Sequence, residues 1–209
     1  RFRERGLRFR LSGELGQKTG FYFDQRPLRA RIEALSAGRR VLDAYSYVGA
    51  IGLAAARGRA AAVTSVDSSA PALSVLARIA AENGLSVRPE KADAVELMAG
   101  HPGAFDLVVA DPPKLSPGRA ARDRALRAFR RIAASAITAV APGGLLALSS
   151  CSQAIGLLEV ERALALAAKD AKKRVTVVER LFQGADHPVP PAFPQGLYLS
   201  TVLAYVEAP

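Results

Sequence analysis

Two short stretches carry the residue types best able to do covalent chemistry, Asp111-Pro112-Pro113-Lys114 and Ser149-Ser150-Cys151-Ser152. Each follows an apolar run, 105–110 and 144–150, that reads as a buried strand, so both reactive groups fall at strand C-terminal ends. The two prolines stiffen the backbone after Asp111, and a rigid carboxylate there can face both a bound ligand and a flat substrate. Cys151 is the only cysteine in the chain and hence its only thiol nucleophile. The competing reading of a lone cysteine is a small buried hydrophobe.

Three further acids follow strand-like runs: Asp43 after Val41-Leu42, Asp67 at the end of TSVD, and Asp93 after 87–92. Asp43 opens DAYSYVGAIG, in which Gly49 and Gly52 mark a tight turn into an Ala-rich helix, where backbone N–H groups can approach a ligand closely. A carboxylate in the position of Asp67 accepts hydrogen bonds from ribose hydroxyls; the alternative is helix capping, which Ser68 or Ser69 could provide. Asp93 could reach an adenine amino group or cap a short helix at 94–99. Together these residues describe an adenosine pocket.

The elements that must hold them alternate. Strands are predicted at 41–46, 62–67, 87–92, 105–110, 144–150, 174–182 and 197–206, and helices at 50–57, 70–83, 94–99, 119–140 and 155–170. Alternation implies right-handed crossovers and a doubly wound α/β domain with a largely parallel sheet. The last two strands have no helix between them, so they should pair antiparallel at one side. Upstream, two runs about Gly6 in 1–11 and a strand at 17–23 should form a hairpin across a turn at 12–16. A helix follows, with Asp24 as N-cap and Pro27 in its first turn, and ends at Gly38.

With 209 residues, half of them apolar, one main domain is expected. No stretch approaches the roughly 18 apolar residues of a membrane span, and the expected setting is soluble and cytoplasmic. One cysteine and two histidines, of which His101 sits in a Gly-His-Pro-Gly turn, argue against a disulfide framework or a metal site. The net charge of +10 is concentrated: residues 1–40 hold 11 Lys+Arg against 4 Asp+Glu, and residues 114–131 hold 7 against 1. Two basic blocks on an otherwise slightly acidic body suggest a polyanion surface, for RNA or DNA.

The order glycine turn, ribose acid, D-P-P and final antiparallel strand resembles the class I S-adenosylmethionine-dependent methyltransferases. GQKTGFYFDQR (16–26), DAYSYVGAIG (43–52), DPPKL (111–115), SSCS (149–152) and ADHPVPPAFPQGLYL (185–199) resemble, more narrowly, the bacterial 23S rRNA cytosine-C5 methyltransferases that carry an upstream PUA domain. That resemblance implies a Rossmann-like fold with a seven-stranded mostly parallel sheet and an antiparallel last strand. It makes 1–36 the remnant of a central β-rich domain, 37–209 the methyltransferase domain, and the PUA domain absent from this chain. S-adenosyl-L-methionine is the implied cofactor, contacted by Gln25, Arg26, Asp43, Tyr45, Ser46 and Gly49. Asp67, Ser68, Asp93, Ala94 and Asp111 complete that implied set. Implied contacts to large-subunit rRNA are Lys18, Pro112, Pro113 and Lys114, with Arg119, Arg122 and His187. No metal or membrane partner is implied, and a homodimer is compatible.

Cytosine C5 is a poor nucleophile, and attack of a thiolate on C6 makes it electron-rich. Cys151 would be that nucleophile, in a basic site favouring its thiolate. Asp111 would hydrogen-bond the N3/N4 edge and support protonation at N3. The other large family of RNA cytosine-C5 methyltransferases has a second cysteine three residues after the aspartate, where this sequence has Lys114, and no residue is singled out to remove the C5 proton. Tyr45, Tyr47 and the aromatics at 21–23 could stack adenine or a flipped base. Rival readings are a guanine-N7 or amino-directed methyltransferase on the same scaffold, and a non-catalytic RNA-binding module.

Overall fold

The computed structural model describes residues 1–11, 20–115, 122–152 and 154–207. Its centre is a seven-stranded sheet built from β3 (Arg40–Ala44), β4 (Ala62–Asp67), β5 (Arg88–Lys91), β6 (Phe105–Ala110), β7 (Val140–Ser150), β8 (Val175–Phe182) and β9 (Ser200–Val206). The strand order is β5-β4-β3-β6-β7-β9-β8. β9 pairs antiparallel with both β7 and β8, and every other pair in the sheet is parallel. The sheet is covered by α1 (Arg26–Leu35), α2 (Ala50–Arg57), α3 (Ala70–Glu82), α4 (Ala94–Gly100), α5 (Arg122–Ala139) and α6 (Leu157–Asp170). The apolar runs of β3 and β6 are buried throughout their inner residues, Leu42, Val108 and Ala110 toward one face and Val41, Leu107 and Val109 toward the other. Burial on both sides is what a central parallel strand requires.

The strand at 17–23 is corrected. The two runs within 1–11 pair with each other as β1 (Phe2–Glu4) and β2 (Leu7–Phe9), while residues 20–23 have no strand assignment and 17–19 lie outside the described residues. Arg5 and Gly6 take φ of 48° and 81°, the two left-handed residues of a tight hairpin turn. This hairpin packs Leu7 and Phe9 with Phe21, Leu53 and Leu76, tying it to α2 and α3.

Asp24 is also not the N-cap of α1. It lies in a 3-10 turn, Phe23–Gln25, and Gln25 occupies the N-cap position. β7 begins four residues earlier than expected, because its pairing with β6 shifts register between Phe105 and Leu107 and absorbs Gly143 at φ 79°.

Candidate active site

At the C-terminal edge of the parallel strands, the loops open into one cavity of about 950 Å³. That is near the upper end of the roughly 300–1,000 Å³ typical of small-molecule sites. Its wall combines the segment after β3, the ends of β4 and β5, the Asp-Pro-Pro segment after β6, and Cys151 after β7. The segment 21–25 and the residues leading into β9 close the remaining side.

The loop after β3 is tightly wound. Tyr45 and Tyr47 take φ of 63° and 50° and Gly49 takes 74°, a region costly for the tyrosines and natural for glycine. A Cβ on Gly49 would lie 2.1 Å from Leu76 Cδ1. The loop is held by Asp67, whose Oδ2 accepts from Tyr47 N and whose Oδ1 accepts from Ser69 N, both at 2.8 Å. Ser69, not Asp67, caps α3, so the carboxylate stays at the cavity wall with lone pairs to spare. Asp93 does cap α4, accepting from Val95 N and Glu96 N through Oδ1, and this leaves Oδ2 available.

Asp43 is buried beneath the loop, where its Oδ2 accepts from Gly52 N at 2.8 Å and from Ser65 Oγ at 3.3 Å. Burial outweighs these bonds and pushes its carboxyl up to about 7. Asp111 accepts from Gln25 Nε2 at 2.9 Å and is likewise raised by burial to about 7. Cys151 is half-buried. Its thiol is pushed up to about 11, first by burial and then by the field of Asp111, against which Lys114 acts weakly. The expected thiolate-favouring environment is therefore corrected: the acids outweigh the lysine around this sulfur.

Of the residues anticipated from the sequence, Gln25, Asp43, Tyr45, Ser46, Asp67 and Ser68 line the cavity. So do Asp93, Ala94, Asp111, Pro112, Pro113, Lys114 and Cys151. Four others do not. Arg26 turns away to Glu4 and Asp186, at 3.1 and 2.8 Å. Arg122 pairs with Glu159 on α6 at 2.7 Å, and His187 faces Asp186 at 3.2 Å. Gly49 shapes the loop without lining the cavity, its missing side chain making room for Leu76. Lys18 and Arg119 lie outside the described residues.

Asp24, read from the sequence only as a helix cap, and Tyr198, read only as part of a motif, both line the cavity and bond to each other, Tyr198 Oη donating to Asp24 Oδ2 at 2.7 Å. Both belong to motifs quoted above, but 174 positions separate them and only the fold joins them. No helix among the described residues is long and apolar enough to cross a membrane, and those residues contain no cluster of three or more potential metal ligands.

A strand order with one reversed strand beside the sheet edge, together with acids at successive strand ends around one cavity, defines a class I methyltransferase scaffold. Residues 2–198 match the family model described as S-adenosylmethionine-dependent methyltransferase, and the chain belongs to that family. It is 39% identical over 217 residues to the ribosomal RNA large subunit methyltransferase of Deinococcus radiodurans, covering 99% of this chain and 52% of that one. It is 38% identical over 212 residues to ribosomal RNA large subunit methyltransferase I of Shewanella denitrificans, covering 97% and 53%. The chain thus spans about half the length of the curated relatives it matches.

Among solved structures, TrmN from Thermus thermophilus superposes with a TM-score of 0.63 at 23% identity, covering 86% of this chain and 47% of that one. TYW2 of Pyrococcus horikoshii, in complex with MeSAdo, gives 0.70 at 14% identity, covering 99% and 70%. Both likenesses concern the fold.

The cofactor is S-adenosylmethionine, and the residues present fit it. Gln25 Oε1 and Ser46 Oγ are buried at the cavity wall without partners among the described residues. Such orphans call for a polar ligand. The carboxylates of Asp67 and Asp93 suit hydroxyl and amino groups, and Val48, Ile51 and Pro71 supply apolar surface for a purine.

Proposed function

We propose that the protein methylates C5 of a cytosine in large-subunit (23S) ribosomal RNA, with Cys151 forming a transient bond to C6. The observation that carries this reading is that the only thiol, Cys151, shares one cavity wall with Asp111 and with the strand-end acids suited to the cofactor. The names of the relatives that match nearly the whole chain support an rRNA substrate. In the same reading residues 1–36 close a β-rich domain, and a PUA module belongs to the longer protein.

S-adenosylmethionine supplies an electrophilic methyl group. The protein's own residues prepare the acceptor. Asp111, balanced near 7, can take the proton of the Cys151 thiol and present it to N3 of cytosine. Once protonated it no longer opposes the thiolate, so one transfer both frees the nucleophile and polarises the ring. The thiolate adds to C6, electron density moves to C5, and C5 takes the methyl group. Gln25 holds Asp111 in place, and the stiff Pro112-Pro113 backbone keeps its direction fixed.

The test is transfer of labelled methyl to rRNA fragments by the wild type and Cys151→Ala, followed by nucleoside identification. The reading expects 5-methylcytidine and a loss of at least about 1,000-fold in the variant. Retained methylation by Cys151→Ala, or label in another nucleoside, overturns it.

A further inference from the structure

A covalent route through C6 cannot finish until the C5 proton is removed. We infer that Asp24 is the base that takes it. The inference rests on the proposed C5 chemistry and assigns a step which that chemistry leaves without a residue.

Asp24 is only 9% exposed and lines the cavity that holds Cys151 and Asp111. Oδ2 accepts from Tyr198 Oη at 2.7 Å, while Oδ1 is buried with no partner among the described residues. A buried carboxylate oxygen left unpaired costs free energy, and such an arrangement persists where the oxygen has work to do with a bound molecule. Each member of the pair is held once more: Gly184 N donates to the backbone oxygen of Asp24 at 3.0 Å, and Tyr198 N donates to Gln183 Oε1 at 3.1 Å. The loop between β8 and β9 therefore aims both members of the pair. Asp24 is also close enough to contribute to raising the pKa of both Cys151 and Asp111. Lys114 carries no lone pair while charged, and Asp111 is occupied with N3. Tyr198 is driven far above its ordinary value by burial and by Asp24, so it serves as a donor.

In the step assigned to Asp24, the C5–H bond breaks and its proton passes to Oδ1. The electron pair forms the C5–C6 double bond, the S–C6 bond breaks, and its pair leaves with sulfur. The proton held at N3 returns through Asp111 to the thiolate, which restores the thiol. Tyr198 fixes the carboxylate through Oδ2 and leaves Oδ1 free to accept.

The experiment uses large-subunit rRNA transcripts, denaturing gels and release of tritium from [5-³H]cytosine. Wild type on 5-fluorocytosine RNA should form a gel-stable covalent complex, because fluorine cannot leave as a cation. Asp24→Asn should bind S-adenosylmethionine within about threefold of wild type and methylate one equivalent of ordinary RNA. It should then accumulate the Cys151-linked complex, with tritium release at least about 100-fold slower. Asp24→Glu should restore turnover in part, a rescue that a merely structural role would not give. Wild-type tritium release by Asp24→Asn overturns the assignment and leaves the covalent reading standing. Loss of cofactor binding by both Asp24 variants assigns the residue to the cofactor and also overturns it. No complex between wild type and 5-fluorocytosine RNA overturns the C5 reading itself.

Discussion

Gln25 Nε2 donates to Asp111 Oδ2 across 2.9 Å, tying the turn ahead of α1 to the strand end that carries Asp-Pro-Pro. This bond favours the ionised carboxylate and opposes the burial that raises it to about 7. Gln25→Ala should raise the Asp111 pKa further. If Asp111 must be ionised to accept the thiol proton, the acid limb of the methyl-transfer rate shifts to higher pH. A pH–rate profile should read a roughly 3- to 10-fold deficit at pH 7 that recovers above pH 8. An unshifted profile contradicts this role of Gln25.

Cys151 should be a sluggish thiol in the free protein. At about 11 its thiolate fraction at pH 8 is on the order of one in a thousand. Asp111→Asn removes a charge that raises the thiol and should accelerate iodoacetamide alkylation at pH 8 several-fold, whereas Lys114→Ala removes an opposing charge and should slow it. Mass spectrometry of the modified peptide over time reads both rates.

The contribution of Asp43 to the stability of the ligand-free protein should fall between about pH 4 and pH 7. A carboxyl whose folded-state pKa lies above its unfolded value binds its proton more tightly in the fold. Its contribution is complete below about pH 4 and is lost as pH rises through about 7. For Asp43, a rise from 3.8 to about 7 corresponds to at most about 4 kcal/mol. Asp43→Asn keeps an oxygen for Gly52 N and removes the titration. Urea midpoints across this pH range should therefore be clearly flatter in the variant.

Glu4 and Arg29 form a pair in which both side chains are buried, with Arg29 Nη2 donating to Glu4 Oε2 at 2.8 Å and Nη1 donating to Tyr22 O at 2.7 Å. Arg29 also lies over the Phe21 ring, 4.8 Å from its centre. Glu4→Ala leaves a guanidinium buried beside the cavity wall and should cost about 3–5 kcal/mol. The double replacement Glu4→Met with Arg29→Met should recover much of that loss, as chemical denaturation of the two variants can test.

What could be read from the chain was what depends on neighbours in sequence. β6 and β4 matched their expected bounds because apolar runs and strand-end acids are local signals. Arg26 sits inside a distinctive motif, but its partners, Glu4 and Asp186, are set by tertiary packing. The hairpin differs for a related reason: Gly6 reads as a break in the sequence, but its left-handed φ closes a turn two residues wide, and pairing takes the shortest loop. The sign of the Cys151 shift was missed because net basic charge in 114–131 says little about the field at one atom. Two arginines of that block, Arg122 and Arg130, are paired with acids on α6, while burial and then the field of Asp111 raise the thiol.

The reversed β9 sets a timetable for assembly. Its first residue, Ser200, is paired with Ser150, so the segment carrying Tyr198 reaches the edge where β7 delivers Cys151. A chain folded only through β7 lacks this wall, because β9 must lie against β7 before the segment carrying Tyr198 reaches the edge. The cavity therefore becomes whole only when the reversed strand has docked.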